Sequence, residues 1–191
     1  MKNAVGTNFI GGEPFVIPVY RKIWDLIAEQ NPECRVHIQT NATIFNEDTE
    51  KLLHRINAFI GVSVDAISKD LYEKIRQGAK HDTVFNNIER FNRIMRAQNK
   101  HLILSVCPIK QNYHEIPALV QYCNDNKIKV YFNSVYEEDF SIKSFSSKKL
   151  NEIFDFFRNN VPTGVDPISL QNKQLYKDLT NQIGNWIENK K

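Results

Sequence analysis

Five short stretches of the chain carry residues suited to holding a polar small molecule: "GGEP" (Gly11, Gly12, Glu13, Pro14), "TNAT" from Thr40, "SVDA" from Ser63, "CPIK" from Cys107 and "NSVY" from Asn133. Adjacent glycines let the main chain adopt conformations closed to other residues and approach a ligand closely, while Pro14 fixes φ just after the carboxylate. Such a segment reads as a binding turn. Glu13 and Asp65 add charged acceptors, and Thr40, Asn41 and Ser63 add hydroxyl and amide groups. Each also has a purely structural alternative. Asp65 could cap the helix that follows it, Asn41 could close a tight turn, and Glu13 could be a first-turn acid favoured by a helix dipole.

These stretches gain weight from what precedes them. Segments rich in β-branched residues at 4–10, 35–40, 59–63, 102–107 and 129–135 are the predicted strands, and each stretch follows one of them. The runs "FIGVSV" and "LILSVC" are apolar at successive positions, the pattern of parallel strands covered on both faces. Between the strands, Val16, Tyr20, Ile23 and Ile27 form one helical stripe and Val84, Ile88, Phe91 and Met95 another. Asp82 is the predicted N-cap of the second stripe and Ser68 that of a short helix through Leu71 and Ile75; Ile116, Leu119, Val120 and Cys123 mark a further helix. Beyond Val135, one predicted helix turns Leu150, Ile153, Phe154 and Phe157 inward. A second uses Leu175, Leu179, Ile183 and Trp186, after the breaker "VPTGVDP". The repeating β-α order predicts an α/β fold with ligand chemistry at the carboxyl ends of the strands.

Composition narrows the partners. The 191 residues suffice for a real core, and 25 basic against 22 acidic side chains, scattered along the chain, leave no electrostatic footprint for nucleic acid or an anionic membrane. No apolar run approaches the ~20 residues of a spanning helix and the start lacks a signal-peptide core, which predicts a cytoplasmic protein. Cys34, Cys107 and Cys123 are odd in number and far apart, so free thiols are expected rather than disulfides or a metal site built from close pairs.

Read together, "GGEP", "QTNAT" and "GVSVDAISKDLYEKIRQGAKHDTVFNNIERF" resemble the radical S-adenosylmethionine (SAM) enzymes, in particular the branch with a cysteine-rich C-terminal SPASM-type extension. The likeness runs over most of 8–135. It implies a partial (βα) barrel of about five parallel strands with flanking helices, spanning 1–136, and a C-terminal helical extension, 137–191, packed on the same domain. It also implies SAM as cofactor, held by Gly11, Gly12, Glu13, Pro14, Thr40, Asn41, Ser63 and Asp65. The glycine–glutamate turn would receive the methionine ammonium, and Asn41, Ser63 and Asp65 would approach the ribose and carboxylate. In the family, reductive cleavage of SAM gives a 5′-deoxyadenosyl radical that abstracts hydrogen, and this branch points to a peptide or protein substrate.

The departure from the family is equally specific. Its four-iron, four-sulfur cluster is held by a C-x3-C-x2-C motif that this chain does not contain, and Cys34, Cys107 and Cys123 lie too far apart in the predicted elements to replace it. No metal ligands and no catalytic residue are therefore assigned. The chain reads as a segment of a longer radical SAM enzyme, inactive by itself. The competing reading is a cofactor-depleted module that binds SAM or a partner without catalysis. A closed eight-stranded barrel needs ~250 residues, and Lys110 as a catalytic lysine has only a loop position in its favour. Finally, the strand at 4–10 is expected to be an open edge, which predicts a homo-oligomer or cover by the helices around Phe154, Phe157 and Trp186.

Overall fold

The computed structural model describes residues 3–190. Five parallel strands, β1 (Gly6–Phe9), β2 (Arg35–Thr40), β3 (Asn57–Ser63), β4 (Ile103–Val106) and β5 (Lys129–Phe132), form one sheet in sequence order. Among them run the helices α1 (Pro18–Gln30), α2 (Glu47–Arg55), α3 (Lys69–Ile75), α4 (His81–Ala97) and α5 (Ile116–Asp125). The chain continues with α6 (Ser147–Asn159) and α7 (Pro167–Glu188). It divides into two compact units: Met1–Ser63 with Gly78–Ile103, and Val64–Gln77 with Leu104–Lys191.

In the first unit, β2 and β3 alternate between fully buried residues (Val36, Ile38, Thr40; Ala58, Ile60, Val62) and more open ones. The expectation of strands covered on both faces is thus corrected. His37, Gln39, Phe59, Gly61 and Ser63 share a partly open face, on which paired His37 and Phe59 stack at 5.0 Å. "FIGVSV" hides this alternation because the open face also carries Phe59 and Gly61, which do not read as polar. Burial in α1 falls on Trp24 and Ile27, and Val16 lies outside the helix, 56% exposed. Phe9, Tyr20, Trp24, Phe15, Phe91 and Phe45 form a chain of ring contacts from 4.7 to 6.1 Å. The stripe of α4 buries Val84, Ile88, Phe91 and Met95, but Lys80 occupies its N-cap and Asp82 lies in its first turn.

In the second unit, α5 buries Ile116, Leu119, Val120 and Cys123, and α6 buries Leu150, Ile153 and Phe157. The inward positions of α7 are corrected to Ile168, Asn172, Tyr176, Leu179, Ile183 and Ile187. Tyr176 and Ile187 take the buried places predicted for Leu175 and Trp186, because the Tyr176 ring stacks on Phe157 at 5.3 Å and its hydroxyl donates to the Phe157 and Asn160 carbonyls. Beside β5, the fully buried Asn172 accepts from the Val130 amide at 2.9 Å and donates to the Ile128 carbonyl at 2.8 Å. Asp166 caps α7 by accepting from the Ile168 and Ser169 amides, and bonds from Lys127 and the Ser169 hydroxyl hold its carboxyl well below the usual range.

Candidate functional site

The carboxyl ends of β1 and β2 converge on Glu13. Gly11 and Gly12 sit at φ 90° and 60°, in the left-handed region that other residues rarely occupy, and a Cβ on either would meet no atom within 4 Å. The turn is therefore an open ledge of main chain whose glycines serve backbone conformation rather than packing. Pro14 is buried, and Phe15 inserts between Trp24 and Phe91, anchoring the far side of the turn. Glu13 accepts from the Phe15 amide at 3.2 Å, from the Thr40 hydroxyl at 2.8 Å and from the Asn41 amide at 2.8 Å. Thr40 in turn accepts from the Ala42 amide at 2.9 Å. The carboxylate is thus a fixed clamp rather than a solvated acid, and an ionised carboxylate, with about four lone-pair positions, retains acceptor capacity after three donors.

Asn41 closes the tight turn foreseen for it, accepting from the Thr43 amide and hydroxyl. The next residue, Ala42, is driven to φ 56°, and Asn87 of α4 donates to its carbonyl at 2.9 Å. The Ser63 hydroxyl, at the end of β3, accepts from the Gln39 side-chain amide at 2.9 Å. Gln39 can lie there because its paired residue is Gly61, where a Cβ would come within 2.2 Å of the Gln39 side-chain oxygen. In this unit the structure brings Glu13, Thr40 and Asn41 together directly, while Ser63 bonds to Gln39.

In the second unit, Asp65 is 6% exposed and accepts from the Cys107 amide at 2.8 Å on one oxygen; its other oxygen pairs with Arg76 at 2.7 Å. It does not cap α3. Ser68 takes the N-cap position, and Glu115 accepts from the Ile67 and Ser68 amides and the Ser68 hydroxyl. Arg76 keeps a buried Nε without a hydrogen-bond partner. Burial and the Asp65 charge raise the Cys107 thiol against the opposing effects of Arg76 and Asn133. Burial pushes Tyr72 up to about 12. Arg76, Asn87, Asn112 and Glu115 carried no assignment from the sequence. Arg76 lies inside the family-like stretch, but a basic residue just past a short helix has no signature of its own.

Comparison with known proteins identifies the family of the chain. The model of the Radical SAM superfamily matches residues 2–123. The chain belongs to the radical SAM superfamily. It is 27% identical over 116 residues to an uncharacterized protein of Archaeoglobus fulgidus, covering 60% of this chain and 26% of that protein. It is 33% identical over 85 residues to a cysteine-type anaerobic sulfatase-maturating enzyme of Clostridium novyi, covering 42% and 22%. The chain thus spans about a quarter of the length of these curated relatives. Among solved structures, Streptococcus suis SuiB bound to the precursor peptide SuiA aligns at TM-score 0.58 and 20% identity, covering 91% of this chain and 40% of that one. Native anSMEcpe with bound AdoMet and the Cp18Cys peptide aligns at 0.54 and 18%, covering 81% and 46%. At these identities the likeness is one of radical SAM fold.

The radical SAM iron–sulfur cluster does not fit the residues described. Among them no group of three or more His, Cys, Asp or Glu side chains could hold a metal ion. Cys34 and Cys123 are buried free thiols, and Cys107 is a half-buried one. Cluster assembly needs several thiolates brought together. Among the described residues, no helix is long and apolar enough to cross a membrane.

Proposed function

We propose that this chain is a SAM-binding segment of a radical SAM enzyme of the SPASM-like branch, which acts on a peptide or protein. The observation that carries the reading is the Gly11–Gly12 ledge beside the clamped Glu13. Main-chain carbonyls and the spare acceptor capacity of Glu13 suit the methionine ammonium, and Pro14 and Thr40 hold the turn in place. Asn41 and Ser63 supply amide and hydroxyl groups for polar parts of the ligand. Within the second unit, taken by itself, Asp65 offers a carboxylate suited to hydroxyl donors, and Arg76, with one buried N–H to spare, suits a carboxylate. SAM is the family's source of the 5′-deoxyadenosyl radical. That chemistry needs a cluster, and this chain's thiols are too scattered to hold one. A peptide substrate is supported by the peptides bound in the SuiB and anSMEcpe complexes.

Calorimetric titration of the full chain with SAM tests the reading, with Glu13→Ala and Asp65→Ala run in parallel. Binding weakened about tenfold or more by Glu13→Ala, the loss of one charge-assisted contact, is the expected result. Tight binding that neither substitution changes would remove the proposed residues. A second reading, a binding module without catalysis, draws on the same scattered thiols; the DNA immediately upstream of Met1 separates the two, an in-frame C-x3-C-x2-C supporting the enzyme segment and its absence the binding module.

A further inference from the structure

Just past the end of β3, the Val64 amide donates to the Ser105 carbonyl at 3.0 Å. Beyond it, side chains continue the pairing. Asn112 is fully buried, and its carboxamide satisfies three main-chain groups: it accepts from the Ile109 amide at 2.8 Å and donates to the Asp65 carbonyl at 2.7 Å and the Cys107 carbonyl at 2.9 Å. The Cys107 amide returns a bond to the Asp65 carboxylate at 2.8 Å. Asp65 is thereby fixed twice, by its main chain through Asn112 and by its side chain through Cys107. Glu115, one turn further on, holds the amides of Ile67 and Ser68. Asn112 carries both functions this place requires: one acceptor for an amide and two donors for carbonyls. An aspartate lacks the donors, and an alanine leaves three main-chain groups, two of them buried, without this partner.

We infer that Asn112 is a positioning residue that sets the location of the Asp65 carboxylate and, on the SAM-binding reading above, controls affinity for SAM without touching it. Asn172 provides a matched comparison. It is also fully buried, also places three hydrogen bonds, and serves β5 instead.

The test measures amide hydrogen exchange by NMR and SAM affinity by calorimetry on the full chain, for Asn112→Asp, the milder Asn112→Ser, and Asn172→Ala as comparison. Losing bonds of this kind is expected to lower protection of the Cys107 and Ile67 amides about tenfold or more. SAM affinity should fall by a similar factor. Asn172→Ala should loosen Val130 and leave the Cys107 and Ile67 amides and SAM affinity near wild type. Unchanged protection at Cys107 and Ile67 in a folded Asn112 variant overturns the inference, as does an equal loss of SAM affinity in Asn172→Ala. If the unsubstituted chain binds no SAM, the SAM reading fails, while the exchange data still decide whether Asn112 positions Asp65.

Discussion

Cys107 illustrates how one carboxylate sets the behaviour of its neighbours. Asp65 bonds to the Cys107 amide and raises its thiol, an effect added to burial and opposed by Arg76. Asp65→Asn removes the raising charge and leaves Arg76 and Asn133 to oppose burial, so the thiolate fraction at neutral pH rises. Iodoacetamide should therefore modify Cys107 faster in Asp65→Asn than in wild type, with Cys34 and Cys123 slow in both because they are buried. An unchanged Cys107 rate, followed by mass spectrometry of the peptide, would show that Asp65 does not govern the thiol. At this scale the sequence disclosed which residues stand at strand ends but not what they bond to. The Asn41 turn could be foreseen because its partner lies two residues away. The contacts of Glu13 with Thr40 and of Asn112 with Asp65 span 27 and 47 residues and follow only from the completed sheet.

Elements were legible where periodicity is long. α4 and α5 bury the stripes read from their spacing, and all five strands lie where β-branched runs predicted them, within a few residues at their ends. Apolar periodicity does not signal α2, whose nine residues carry only Leu52 and Leu53 as apolar positions. Its signature is at the cap instead. Asn46 accepts from the Thr49 amide at 2.9 Å, acids fill the first turn and His54 and Arg55 the last, a pattern that stabilises a short helix by about 1 kcal/mol through the cap alone. The start of α3 depends on another element altogether. Burial would raise the Glu115 carboxyl, but the Ser68 hydroxyl, the Ser68 and Ile67 amides and nearby His114 outweigh it and hold it below its ordinary 4.5. A depressed carboxyl adds stability above its unfolded value and loses it as pH falls through the folded one. Urea denaturation from pH 6 to 3 should thus show wild type losing more stability below about pH 4.5 than Glu115→Gln. Parallel acid limbs for the two proteins would mean that Glu115 contributes nothing at the helix start.

For the molecule as a whole, the shortage of clustered thiols has a direct chemical readout. Anaerobic reconstitution of this chain with iron and sulfide should yield well under one four-iron cluster per chain by metal analysis and visible absorbance, because its three cysteines sit apart. Stoichiometric cluster formation would contradict the described arrangement. The bonds of Asn172 carry a different consequence. In a parallel ladder, a residue of the incoming strand accepts from one amide and donates to a carbonyl two residues away. The Asn172 carboxamide does this to Val130 and Ile128, so a single side chain impersonates the peptide group of a sixth strand. The β5 border is therefore already answered by an amide in α7, and a strand arriving there must first evict Asn172.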